Sequence, residues 1–158
     1  MPTSKSAIKR ASKRERKDAG KRASENSPSY NRISAIDPRF QPARFKKFAD
    51  QLSRRHLSLL VQLRSGHVPL NKHLNRIRRA ESSICPSCGM QTETVHHFLM
   101  VCPAYERQRR QLETQIGIRN ARSIKTLLSH PKAIPYMFNY VHDTRRFAHT
   151  FKDLRMET

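Results

Sequence analysis

Three cysteines and a histidine have the residue types and the spacing of a metal-binding set. All 3 cysteines of the chain lie between positions 85 and 102, and with one histidine they read Cys-x2-Cys-x8-His-x4-Cys. Zinc binds thiolate sulfur and imidazole nitrogen, and four protein ligands close its tetrahedral coordination sphere without leaving a position for water. The pattern therefore predicts a structural Zn²⁺ site, a small CCHC zinc knuckle at 85–102, whose sulfur ligands are Cys85, Cys88 and Cys102.

Two adjacent histidines, His96 and His97, compete for the fourth ligand position. Neighbouring side chains on a helix point about 100° apart, so only one of them can face the metal. Pro86 and Gly89 fit a tight turn between the first two cysteines, in which backbone amides can donate to the cysteine sulfurs. The spacing alone leaves both histidines as candidates.

The charge of the chain points to a polyanionic partner. Its 158 residues include 32 Lys and Arg against 12 Asp and Glu, which gives a formal net charge of +20. Nucleic acid is the commonest partner of such a surplus, although a basic ribosomal or membrane-surface protein has the same composition. Clustered cysteines in odd number suit a reducing compartment. Without a long apolar run or a signal segment, we expect a soluble, intracellular chain that crosses no membrane.

Residues 1–38 are predicted to be a disordered basic tail and linker. Bulky apolar side chains are nearly absent from its first thirty residues, so ordering this segment would bury too little surface to offset the entropy cost. Basic tracts of this kind serve nuclear import, contact phosphates or only solvate the chain. We expect a nuclear protein, with a cytoplasmic ribonucleoprotein as the other location.

Residues 39–155 are predicted to form an all-α, mainly helical module. Apolar residues recur at helical spacing after Pro42, and Ser53 and Gly66 have the types of an N-cap and a C-terminal stop. Shorter helical patterns follow near Leu70, after Pro103, after Ser123 and from Ile134 to Leu154, and Ser123 is a further candidate N-cap. No convincing strand pattern occurs apart from a small hairpin around the zinc ligands.

The basic residues of this module are candidates for nucleic-acid contact. Between residues 44 and 79 the only acidic residue is Asp50, and the charges alternate with the apolar stripe, which places them on exposed faces. Contacts of this sort bind phosphate without reading sequence. His67 and His73 are expected to be packed or hydrogen-bonded rather than catalytic. The candidates for phosphate contact are Arg44, Lys46, Lys47, Arg54, Arg55, Arg64, Lys72, Arg76, Arg78 and Arg79, extended by Arg107, Arg109 and Arg110.

Four stretches together resemble the C-terminal end of the reverse-transcriptase polyprotein of LINE-type (non-LTR) retrotransposons, closest to the fungal Tad-like group. They are Leu-Arg-Ser-Gly-His at 63–67, Cys-Pro-Ser-Cys-Gly at 85–89 and Glu-Thr-Val-His-His-Phe-Leu at 93–99, followed by Cys-Pro-Ala-Tyr-Glu-Arg at 102–107. The resemblance covers about residues 40–155. In that family the second histidine of the Glu-Thr motif is the ligand, which implies His97.

The resemblance implies a module without the active sites of its parent. In those elements a reverse transcriptase, and usually a ribonuclease H domain, precede this segment, and their two-metal chemistry needs clustered carboxylates. This chain has no Asp-Asp pair or comparable acidic set. We therefore expect a non-enzymatic, zinc-stabilised module that binds RNA or DNA. The alternatives are a zinc-supported protein-interaction module and a nuclease built on His96 and His97.

Overall fold

Short helices, rather than strands, build the described part of the chain. A computed structural model describes residues 5–25, 27–38 and 42–158. Ten α-helices are present in these ranges: α1 (Lys5–Glu25), α2 (Pro28–Ile36), α3 (Pro42–Ala49), α4 (Arg54–Ser65), α5 (Asn71–Arg76), α6 (Glu106–Ile116), α7 (Ile118–Ala121), α8 (Ile124–Ser129), α9 (Ile134–Thr144) and α10 (Ala148–Phe151). A π-helical turn (His97–Val101) and a 3-10 turn (Pro103–Tyr105) lie between α5 and α6. The predicted mainly helical class is confirmed.

Helix ends follow the capping rules that the sequence predicts. The Ser53 hydroxyl accepts a hydrogen bond from the backbone N–H of His56 at the start of α4, and Gly66 ends the helix with a φ of +74°. At α8, Ser123 accepts from the N–H of Thr126 in the same way. Glycine adopts the left-handed conformation without the steric cost that a Cβ would bring.

The predicted last helix is divided in two. Helix α9 ends at Thr144, and Arg145 then adopts a φ of +58° with its N–H bonded to the carbonyl of His142. The apolar residues that follow, including Phe147 and Phe151, therefore lie on the separate turn at α10. The apolar periodicity is real in both parts, but a left-handed residue breaks the helix between them.

The N-terminal region differs from the prediction of a disordered tail and linker. Residues Lys5–Glu25 and Pro28–Ile36 are helical, so the structure does not show the predicted disorder. Alanine, lysine, arginine and glutamate, which dominate α1, have high intrinsic helix propensity, and this local preference does not depend on burial. The side chains described in α1 bury no apolar face, whereas α2 contacts α4 and α8.

The core lies where α4, α6, α8 and α9 meet the π-helical turn. Phe98 of that turn is fully buried and makes edge-on or tilted ring contacts with Tyr105, Tyr140 and Phe147, whose ring centroids are 5.3–5.8 Å away. The Tyr140 hydroxyl also donates to the carbonyl oxygen of Phe98 at 2.6 Å. This packing anchors the segment that carries the predicted metal ligands to the helical core.

None of the helices in the described ranges combines the length and the apolar character that a membrane-spanning segment requires.

Candidate metal centre and basic surface

A tight turn presents the first two cysteines. Residues Ile84 and Thr92 form a single antiparallel bridge, and the Cys85 N–H donates to the carbonyl of Gln91 at 2.8 Å. Gly89, at a φ of +67°, closes the turn by donating its N–H to the Cys85 carbonyl at 2.8 Å. The predicted small hairpin is thus reduced to one bridge in the described residues, and its turn places Cys85 and Cys88 on one side.

The π-helical turn brings the other two ligands together. The Cys102 N–H donates to the carbonyl of His97, five residues earlier, at 2.8 Å. In a regular α-helix, residues five apart point about 140° away from each other, at about 100° per residue. The wider turn reduces this divergence, so His97 and Cys102 both face the turn between Cys85 and Cys88. Such π-helical turns are frequent at functional sites.

The four predicted ligands converge on one point. Their donor atoms, which are the Sγ atoms of Cys85, Cys88 and Cys102 and a ring nitrogen of His97, all lie within 4.8 Å of one another. The Cys85 and Cys102 Sγ atoms are 3.8 Å apart, and the Cys88 Sγ atom is 3.5 Å from His97 Nε2. The three cysteines form no disulfide. The arrangement could hold a metal ion.

Burial separates the two histidines. The His97 side chain is 3% exposed and lies in the cluster, whereas the His96 side chain is exposed and lies outside it. His97 Nδ1 lies 3.2 Å from the amide oxygen of Gln91, so an N–H at Nδ1 donates to that oxygen and leaves Nε2 as a lone-pair donor. Such an outer partner orients a metal-binding imidazole. Burial lowers the pKa of His97, which favours the neutral ring that a metal requires.

The cysteines differ in their electrostatic surroundings. A hydrogen bond from the backbone N–H of Met90 lowers the pKa of Cys88, as expected for a sulfur in a turn of this type. Burial raises the pKa of Cys102 to about 12 in the metal-free protein. The buried Cys102 is therefore held as a neutral thiol until a cation replaces its proton.

A buried ion pair next to the cluster was not predicted. Glu93 is fully buried, and its two carboxylate oxygens accept from Arg146 Nε and Nη2 at 2.6 and 2.7 Å. One oxygen also accepts from the backbone N–H of Asn71 at 2.6 Å, and the other lies 3.9 Å from Cys85 Sγ. Glu93 thus ties the start of α5 and the cysteine turn to the end of α9. The Glu-Thr motif was the sequence signal that singled out Glu93. Its partner Arg146 lies 53 residues away in the chain, so the pair could not be predicted from the motif.

Two of the arginines that are predicted to contact phosphate have partners inside the protein. Arg64 is 4% exposed, pairs with Asp37 at 3.3 Å and lies over the Phe45 ring, 4.9 Å from its centroid. Burial lowers its pKa. Arg109 is half-buried and donates to the carbonyl of Cys102. Both guanidinium groups have partners inside the protein, and phosphate contact by Arg64 and Arg109 stays a prediction.

The remaining predicted cations are exposed, except that the side chain of Arg44 lies outside the described residues. Arg110 pairs with Glu106, and Arg55 donates to the carbonyl of Asp153 at 3.0 Å. Lys72 and Arg76 line one pocket together. The exposed set consists of Lys46, Lys47, Arg54, Arg55, Lys72, Arg76, Arg78, Arg79, Arg107 and Arg110.

Comparison of the chain with protein-family models, curated proteins and solved structures finds no match.

Proposed function

We propose that the chain is a zinc-stabilised, nucleic-acid-binding module of the kind found at the C-terminal end of non-LTR retrotransposon reverse-transcriptase polyproteins. The observation that carries the proposal is the convergence of Cys85, Cys88, His97 and Cys102, since these are the ligands implied by the sequence resemblance. In such a polyprotein the module would hold template RNA or target DNA near the polymerase.

Zinc is the ion that this donor set fits best. Tetrahedral ligands at a Zn–S distance of about 2.3 Å and a Zn–N distance of about 2.0–2.1 Å lie about 3.8 Å (sulfur to sulfur) and about 3.5 Å (sulfur to nitrogen) apart. The separations of 3.8 Å between Cys85 and Cys102 and 3.5 Å between Cys88 and His97 agree with these edges. Three thiolates and an imidazole form a closed structural site, so the proposal includes no catalytic activity.

The exposed cations support phosphate binding. Arg54 and Arg79 are exposed, and neither lies within 4.0 Å of a carboxylate in the part of the chain that the structure describes. Such cations gain by replacing the counterions of a nucleic-acid backbone. The exposed lysines and arginines of α1 add to the positive field and suit a nuclear location or a cytoplasmic ribonucleoprotein.

Salt-dependent binding tests the proposal. Fluorescence anisotropy of the zinc-loaded full chain with labelled RNA and DNA should give micromolar affinity at about 50 mM salt, weakening linearly on a log–log plot up to about 200 mM. The double variant Arg54→Glu/Arg79→Glu should weaken binding and lower the salt slope by about one for each lost phosphate contact. The matched control, Arg119→Glu/Lys125→Glu, reverses two exposed cations outside the predicted set and should bind more tightly than the first variant.

Two results would contradict the proposal. Absence of binding at low salt would leave the protein-interaction module as the better interpretation. Equal losses in the two double variants would mean that net charge alone, rather than the predicted residues, attracts the nucleic acid.

A further inference from the structure

A pocket of about 510 Å³ lies between α2, the end of α4, α5, the segment that precedes the π-helical turn, and α8. Its walls are mainly aliphatic and include Ile36, Leu63, Val68, Leu70, Val95 and Ile124. The volume falls within the range of about 300–1,000 Å³ that small organic ligands occupy in proteins. Helix α2, which packs on α4 and α8, lines the pocket with Arg32, Ala35 and Ile36.

Three cations that lack a carboxylate partner surround this apolar space. Arg32, Lys72 and Arg76 are exposed and line the pocket, and no described carboxylate lies within 4.0 Å of them. The charged groups beneath them are already neutralised, because Glu93 pairs with Arg146 and Arg64 pairs with Asp37. The rim formed by Arg32, Lys72 and Arg76 therefore carries an uncompensated positive charge beside the aliphatic walls.

Hydrogen bonds to groups other than carboxylates position two of the three cations, Arg32 and Arg76. Arg32 Nη1 donates to the carbonyl of Ser65 at 3.1 Å, and Arg76 Nη2 lies 3.0 Å from His73 Nδ1. These bonds orient the guanidinium groups without reducing their charge. The His73 residue also lines the pocket.

We infer that this pocket receives an unstacked base of single-stranded nucleic acid, while Arg32, Lys72 and Arg76 contact the flanking phosphates. The inference rests on the proposed function and adds the class of nucleic acid. A base joins a flat apolar ring to an anionic backbone, which is the combination that an apolar cavity with a cationic rim complements. In a duplex the bases are stacked and paired, so only the phosphates could reach the rim.

Three oligonucleotides of equal length separate the base from the phosphates: a single strand, the same strand with abasic positions, and a blunt duplex. Fluorescence anisotropy with the zinc-loaded full chain should show the intact single strand binding about fivefold or more tighter than the abasic strand, in line with about 1–3 kcal/mol per stacked base. The abasic strand and the duplex cannot place a base in the pocket, so their binding reports the phosphate contacts alone.

A pocket-filling variant and its matched control complete the experiment. Ala35 is exposed on α2 and lines the pocket, so Ala35→Leu fills part of the space without removing a core contact. It should lose the preference for the intact strand and leave duplex binding unchanged. Ala148→Leu makes the same change at an exposed position away from the pocket and should bind as the unmodified chain does. Equal melting temperatures show that both variants are folded.

Each other outcome has a definite meaning. If the intact and abasic strands bind equally, or if Ala35→Leu and Ala148→Leu behave alike, the pocket does not receive a base, although the proposed phosphate binding survives. If a polyglutamate peptide displaces the strand from the unmodified chain and not from Ala35→Leu, the occupant is an acidic peptide and the inference is overturned. If no oligonucleotide binds, the proposed function itself fails.

Discussion

At the scale of single residues, the two adjacent histidines have different environments. His97 is buried in the ligand cluster with Gln91 behind it, and His96 is exposed. Which histidine can bind the metal depends on the direction of each ring. The π-helical turn, with its hydrogen bond between residues five apart, sets those directions.

Replacing either histidine by alanine tests this assignment. His97→Ala should lower metal affinity by more than the roughly 10- to 100-fold that loss of an outer-shell partner costs, because a direct ligand is lost. His96→Ala should bind the metal as the unmodified chain does. Competition with a chromophoric chelator measures both affinities, and Co²⁺ absorption reports the number of thiolate ligands. Equal losses in the two variants would contradict the assignment of His97.

The buried pair of Glu93 and Arg146 is the strongest electrostatic contact near the cluster. Its carboxylate is fully buried and its guanidinium side chain is 18% exposed. Taking two charges out of water is costly, and the pair offsets that cost only while both partners remain.

Removing one partner should therefore lower the free energy of unfolding far more than removing a surface pair. We expect Glu93→Gln to lower the free energy of unfolding by about 3–5 kcal/mol, because Arg146 keeps an uncompensated buried charge. The control Arg122→Met breaks the pair with Glu113, in which Arg122 is 71% exposed, and should cost no more than about 1 kcal/mol. Urea denaturation at saturating metal measures both. A double variant, Glu93→Gln/Arg146→Met, should recover part of the loss, and equal costs for Glu93→Gln and Arg122→Met would contradict this account.

At the scale of elements, the π-helical turn and the helix ends position the site and the pocket. Gly66 ends α4 at a φ of +74°, next to the Arg32 side chain on the pocket rim. A non-glycine residue in this conformation brings its Cβ close to the following carbonyl.

Gly66→Ala should lower the free energy of unfolding by about 1–2 kcal/mol, the usual cost of a left-handed alanine. The added Cβ would lie 3.3 Å from Arg32 Nη1, which is the far end of a flexible side chain and can move. The control is Gly20→Ala inside α1, where a Cβ meets nothing within 4 Å and alanine is the better helix former. Thermal unfolding followed by circular dichroism should show a loss for Gly66→Ala only. A stable Gly66→Ala variant would mean that the backbone at this position relaxes.

At the scale of the whole molecule, the metal cluster and the helical core form one packed unit. Cys85 and Cys102 are buried among the same apolar residues as Phe98 and Leu112. In small zinc peptides metal binding contributes about 10–16 kcal/mol, which is as large as the stability of a typical domain. The proposed Zn²⁺ should therefore stabilise the helices as well as the cysteine turn.

Metal removal should reduce the stability of the core in a pH-dependent way. A chelator should lower the melting temperature by more than about 15 °C at a pH of about 7.5, and added Zn²⁺ should restore it. Without metal, burial raises the pKa of Cys102 to about 12, so its neutral thiol contributes a stability that is fully present below the unfolded pKa and lost as the pH rises through the folded value. The metal instead requires thiolates, so the melting difference between loaded and chelated protein should shrink towards a pH of about 5.5.

The outcome that contradicts this prediction is a melting temperature that a chelator leaves unchanged at neutral pH. Circular dichroism would then show a core that folds without the metal, and the four side chains would be a packed cluster of three thiols and one imidazole.

Local rules made much of the fold predictable. The ends of α4 and α8 depend on residues within three or four positions of each other, and Ser53, Gly66 and Ser123 confirm the capping predictions. The ligand set is also local, since the types and spacing of Cys85, Cys88 and Cys102 suffice to indicate a metal site. The helical state of Lys5–Glu25 is also a local preference, since residues of high helix propensity dominate this segment.

The sequence by itself therefore determined the mainly helical class, the helix caps and the residue types that can bind a metal. Only the tertiary structure decided which histidine faces the cluster, why Arg64 is buried against Asp37, and which arginine neutralises Glu93. It also decided that α2 closes a cation-rimmed pocket together with Lys72 and Arg76. Capping and turn formation involve neighbours in the chain, whereas burial and ion pairing join residues tens of positions apart, and those pairings follow from the packing of helices.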